Sequence, residues 1–198
     1  MSRATRAIID LAALRHNLQV SKQAAPNSKQ MAIIKAHAYG HGMVHVAQAL
    51  DEADAFGVAI IEEAIPLREA GISKPILLLE GFTRESDLPL VRGYSLDCVI
   101  HHERQIEILE AASGEPINVW LKIDTGMHRL GFKPAEAGAI YKRLQNCPLV
   151  NQTIPLMTHL ANADDLADDF TPHQLQIFKE ATDFSRSEKS IANSAGIL

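Results

Sequence analysis

The sequence holds two cysteines, Cys98 and Cys147, one tryptophan and three tyrosines among 198 residues. Two cysteines are too few for a disulfide scaffold, and they show neither zinc-knuckle nor Cys-x-x-Cys redox spacing, so a reducing cytoplasm is the expected setting. Nowhere does an apolar run approach the roughly 20 residues that cross a bilayer. The start, MSRATRAIIDL, also lacks the apolar stretch of a signal peptide, and no membrane association is expected. Basic charge is in short supply too. Nineteen Lys and Arg, dispersed among 24 Asp and Glu, leave a net charge of −5, which argues against a nucleic-acid partner but leaves room for a small anionic ligand in one local pocket.

What the chain does have is a 46% hydrophobic content, enough to bury a core as one globular unit. Asp10 is placed to cap a helix over residues 11–18, whose leucines fall three and four apart. Pro26-Asn27-Ser28 breaks it. From there short apolar runs alternate with longer amphipathic ones. MAIIK, AFGVAI, PILLLEG, DCVI, NVWLKID, TIPLMTHLA and IANSAG read as strands. MVHVAQALDEA, EEAIPLREAG, HERQIEILEAAS, PAEAGAIYKRLQN and TPHQLQIFKEATDFSRS read as helices. Such alternation implies right-handed crossovers and a parallel sheet, either doubly wound or a barrel. Polar residues recur where strands run out: Lys35, Lys122 with Asp124, and His159. That placement favours a TIM-type (β/α)8 barrel, whose catalytic groups come from the ends of several strands. Such barrels need about 250 residues. Seven strand candidates therefore predict a single domain over 1–198 that is an incomplete barrel, or a piece of a longer protein, with unpaired sheet edges.

The chemistry concentrates at those strand ends. A lysine amine in a pocket can form a Schiff base with an aldehyde and, once freed, act as a base, which makes Lys35 a candidate. Tyr39 and the turn Gly40-His41-Gly42 are suited to an anion. In WLKIDTGMHRLGF, Lys122 and Asp124 share one face of a strand, interior in a barrel, where unmatched charge is costly; Arg129 follows as a fixed cation for a carboxylate or phenolate. His159, Asn193 and Ser194 complete a ring of polar groups, Ser194 offering a hydroxyl for phosphate. His41 and His45 have the i, i+4 spacing of metal ligands, but with no third ligand at defined spacing no metal is expected.

Taken in order, IIKAHAYGHG, IEEAIPLREAGISKPILLLEGF, LKIDTGMHRLGF, MTHLANAD and IANSAGIL resemble alanine racemase over nearly the whole chain. The usual motif has Asp or Asn where His37 stands. The resemblance implies a pyridoxal 5′-phosphate enzyme that interconverts L- and D-alanine, supplying D-alanine for peptidoglycan. It further implies a homodimer with a barrel followed by a β-rich C-terminal domain. Lys35 matches the cofactor lysine and D-side base, Tyr39 and Ser194 the phosphate contacts, Asn193 a cofactor-binding residue, Arg129 the arginine near the phenolic oxygen and substrate carboxylate, and His159 the histidine beside the pyridine ring. Lys122 matches a lysine often carbamylated in the family. The family's eighth strand, its arginine facing the pyridine nitrogen and the L-side tyrosine from the C-terminal domain have no counterpart in these residues, so the chain alone is expected to be inactive. The alternative is a single-domain pyridoxal-phosphate homeostasis protein, whose lysine motif lacks AYGHG.

Overall fold

The computed structural model describes Ala4 and residues 6–198. Seven strands, β1 (Met31–Ile33), β2 (Ala55–Val58), β3 (Ile76–Leu78), β4 (Asp97–Ile100), β5 (Val119–Lys122), β6 (Leu156–Met157) and β7 (Lys189–Ser190), lie side by side in chain order. Every neighbouring pair is parallel, as the alternation of strand and helix requires. The helices are α1 (Leu11–Ala24), α2 (Lys35–Tyr39), α3 (Met43–Ala49), α4 (Ile61–Glu69), α5 (Leu88–Gly93), α6 (Glu103–Ala111), α7 (Ala137–Gln145), α8 (Phe170–Ala181) and α9 (Ser194–Ile197).

The sheet curls. Lys29, just before β1, reaches Glu188, just before β7, at 2.5 Å between Nζ and Oε1, and α1 touches α9. Two edges that lie six strands apart in the sheet therefore meet through one ion pair, giving an incomplete TIM-type barrel. Its strands alternate strictly. Ile76 and Leu78, Cys98 and Ile100, Val119 and Leu121 pack outward with the helices in the main core. Leu77 and Val99, between them, join Met31, Trp120 and Met157 in a separate interior cluster. Near the strands' N-terminal end the Asp97 carboxylate accepts from Asn118 Nδ2 at 2.9 Å and Trp120 Nε1 at 3.2 Å.

Most expected elements are present, usually shortened. Asp10 caps α1, its Oδ1 accepting from the amides of Ala12 and Ala13 at 2.8 and 3.1 Å, and the helix runs six residues beyond the expected Leu18, to Ala24. The seventh strand is a correction: it is Lys189–Ser190, and IANSAG is not a strand. Asn193 instead caps α9, its side-chain oxygen accepting from Gly196 N at 3.0 Å, so a local cap wins over a ladder on a strand with a partner on one side only. Helix α5 falls in a segment to which the sequence reading assigned no element. Pro89 sits in the first turn, where a missing N–H does no harm.

Phe56 of β2 is fully buried between sheet and helices. Truncation to alanine should lower stability by about 3–5 kcal/mol, read from a denaturant titration; a loss below about 1 kcal/mol would mean that this layer is loosely packed.

Candidate active site

Strand parity selects the site. Side chains two apart on a strand share a face. From Met31 of the interior cluster the same parity leads past the exposed Ile33 to Lys35, from Val99 to His101, from Trp120 to Lys122, and from Met157 to His159. Four titratable groups from four strands thus gather at the C-terminal mouth of the barrel. His101 was missed in the sequence, although two residues past Val99 is the same signal that singled out the others.

The electrostatics agree. Lys122 is 8% exposed and makes no ion pair among the described residues. Burial holds its pKa below the ordinary lysine value, helped by the charges of Arg129 and Lys35 and opposed by Asp124. Burial likewise lowers the His159 pKa, again with Arg129, Lys122 and Lys35 adding to the effect. His101 is lowered by burial and by Lys122, against a hydrogen bond from its Nε2 to the Glu80 carbonyl at 3.1 Å. Asp124 is the nearby acid. Burial would raise its pKa, but the amides of His128 and Gly126, both 3.0 Å from Oδ1, together with the His128 ring 3.3 Å from Oδ2, outweigh that and hold it low. Its charge is therefore already engaged within its own loop. Among the described residues, three cations and two histidines face this mouth, while the carboxylates of Asp124 and Glu63 are engaged with backbone amides.

Arg129 reaches this cluster on a closed excursion of the chain. Asp124 N donates to Phe132 O at 2.8 Å and Phe132 N to Lys122 O at 3.0 Å, so the loop leaves and rejoins the end of β5. Gly131 permits the return: its φ is +129°, and a Cβ would stand 2.7 Å from the Asp124 amide nitrogen. Beneath the loop, buried Thr125 and Thr158 share a hydrogen bond at 2.8 Å, and buried Gln174 donates to Thr125 Oγ1 at 3.2 Å and to the His159 carbonyl at 3.0 Å. A cavity of about 400 Å³ beside the mouth is bordered by Phe82, His101, Arg104 and Arg129.

Lys35 opens a segment wound the wrong way. Ala36, His37, Ala38 and Tyr39 all have φ between 51° and 56°, a left-handed turn that costs L-residues about 1–2 kcal/mol each. It ends at Gly40 and Gly42, for which positive φ carries no such cost. Histidine at position 37 is intelligible here, since Asn, Asp and His are the non-glycine residues that tolerate this region best. Tyr39 is 59% exposed on the turn. His41 Nδ1 bonds the carbonyls of Ala38 and Tyr39 at 2.9 and 3.1 Å, which makes His41 a cap for the turn. No cluster of three metal-ligating side chains exists among the described residues. Ser194 begins α9 beside Asn193, and both border the seventh strand's loop.

The profile of the alanine racemase N-terminal domain matches residues 9–198. The chain belongs to that family. It is 50% identical to the alanine racemase of Vibrio vulnificus strain CMCP6 over 99% of its own length and 55% of that relative's. With the biosynthetic alanine racemase of Salmonella typhimurium it shares 48% over 98% of itself and 55% of the relative. The crystal structure of biosynthetic alanine racemase from Pseudomonas aeruginosa superposes with a TM-score of 0.90 at 44% identity, over 96% of this chain and 53% of that one. The chain thus spans about half the length of the racemases it matches. No helix among the described residues is long and apolar enough to cross a membrane.

Because the His159 pKa is lowered only in the folded chain, its protonation opposes folding. Its contribution is neutral above the unfolded value of about 6.5 and becomes destabilising as pH falls below it toward the folded pKa. Thermal midpoints should therefore fall between pH 7.5 and 5, and less steeply in His159→Gln. An equal fall in both would assign the effect elsewhere, His101 first.

Proposed function

We propose that the chain is the cofactor-binding part of an alanine racemase that interconverts L- and D-alanine with pyridoxal 5′-phosphate and supplies D-alanine for peptidoglycan. The observation that carries this is the convergence of Lys35, Lys122 and Arg129 with two histidines on one barrel mouth, where the nearby carboxylate of Asp124 is already engaged. A phosphate and a phenolate are the charges such a mouth lacks, and a lysine with hydroxyl and amide donors around it fits the group.

When bound, the cofactor supplies an electron sink that makes the substrate's α-proton acidic. The chain's own residues do the rest. Lys35 would hold the group through its amine and, once freed, would take or return the α-proton on one face. Tyr39 and Ser194 offer hydroxyls to the phosphate. The Asn193 oxygen is engaged with Gly196, which leaves its NH₂ as the donor. Arg129 holds the phenolic oxygen and the substrate carboxylate with a planar fork. His159, whose pKa is lowered by burial and by the surrounding cations, would stand beside the ring. Proton exchange on the opposite face calls for a second group, which in this reading a second copy of the protein supplies, as family resemblance suggests.

Incubation with pyridoxal 5′-phosphate followed by borohydride should leave a pyridoxyl group on Lys35, located by peptide mass. Recovery of the label on Lys122 instead would overturn the assignment.

Lys122 poses its own question, since an 8% exposed ammonium beside two other cations is costly. Carbamylation would turn it into an anion facing Arg129. Isotope-labelled bicarbonate should then give a carbamate carbon resonance that disappears in Lys122→Arg; a resonance that survives the substitution would rule this site out.

A further inference from the structure

The loops at the barrel mouth are fastened in pairs, each pair by one side chain from the helix after an even-numbered strand. From α4, Glu63 accepts the amide of Ala36, in the loop after β1, at 2.6 Å and that of Ala59, in the loop after β2, at 2.7 Å. From α6, Gln105 accepts from His101 N at 2.9 Å and donates to the carbonyls of Glu80 and Val99, each at 3.1 Å, joining the loops after β3 and β4. From α8, Gln174 accepts from Ala161 N at 2.8 Å and donates to Thr125 and His159, joining the loops after β5 and β6.

The chemistry of each fastener matches its partners. Gln105 and Gln174 face acceptors on one side and donors on the other, which an amide satisfies. Among the described residues the Glu63 side chain meets two N–H groups and no other partner, which the two oxygens of a carboxylate satisfy, and a glutamine would turn an NH₂ against a backbone N–H. Ala36 is also the first residue of the left-handed turn, bonded directly to Lys35.

We propose that Glu63 is a positioning residue for Lys35: its carboxylate grips the amide at which the chain turns left-handed and so fixes where the Lys35 side chain leaves the barrel wall. The consequence for chemistry rests on the reading of Lys35 as the cofactor lysine. The grip itself rests on the hydrogen bonds alone.

Three full-length versions of this chain test it: Glu63→Gln, the exposed neighbour Glu62→Gln, and Glu63→Gln combined with Ala36→Gly. Glycine adopts the left-handed conformation without a Cβ clash, so it should restore the turn if holding the turn is what Glu63 does. Two readouts are needed, amide hydrogen exchange over residues 35–42 and the rate of borohydride-trapped labelling of Lys35 by pyridoxal 5′-phosphate. Glu63→Gln should keep the circular dichroism of the parent, speed exchange in that segment, and slow labelling on the order of tenfold. Glu62→Gln should change neither, and the added glycine should recover most of both. Unchanged exchange and labelling in a folded Glu63→Gln would overturn the proposal, as would a loss that glycine does not repair. If Glu63→Gln does not fold, exchange in the parent decides: fast, unprotected amides at Ala36 and Ala59 would overturn the grip. If the parent takes no label on Lys35, the functional reading falls, and the exchange comparison still decides the role of Glu63.

Discussion

A strand in a curled parallel sheet commits every second side chain to the barrel interior, and nearly everything at the mouth depends on that constraint. Within β5 it sends Val119 and Leu121 outward and Trp120 and Lys122 inward. A slip of one residue would exchange the two sets, placing a lysine in the helix layer and a leucine in the site. The outward residues make such a slip prohibitively costly, because each is buried and apolar. The same packing that stabilises the sheet therefore also delivers the polar groups to one place.

What parity cannot do is hold the loops that follow the strands. Backbone groups there have no ladder partner, and the structure supplies one from a neighbouring helix. Glu63, Gln105 and Gln174 are repeated in position and differ in chemistry according to the groups they meet. The repeat unit of the mouth is thus two strands and two helices. Stability of one loop is bound to that of its neighbour, since removing a shared fastener leaves polar groups of both without that partner.

Much of this was legible in the sequence, and the reasons for the rest are physical. Lys35, Lys122 and His159 were found because each follows an apolar run by the right interval. Asp10 was found because a capping residue precedes a helical period. His101 escaped because it stands next to His102 and reads as the polar start of a helix, which His102 in fact caps. The left-handed turn escaped because Ala36 and Ala38 are strong right-handed helix formers, and nothing in their chemistry announces the opposite hand. The end of the sheet was misplaced because Asn193 can satisfy a cap or border a strand, and only the number of neighbouring strands decides between them. The fasteners were invisible for a different reason: a glutamate on a predicted helix looks solvated until the loops it reaches are known.

The turn after Lys35 has a stereochemical corollary. The region near φ = 55° that strains Ala36 and Ala38 is the mirror of the ordinary helical region, and a residue of inverted chirality would occupy it at rest. A synthetic chain carrying D-alanine at those two positions would keep the backbone hydrogen bonds of the turn and lose their share of its strain, leaving that of His37 and Tyr39. The chain stretch that introduces Lys35 is thus a run of consecutive residues at which the mirror-image amino acid is the better fit.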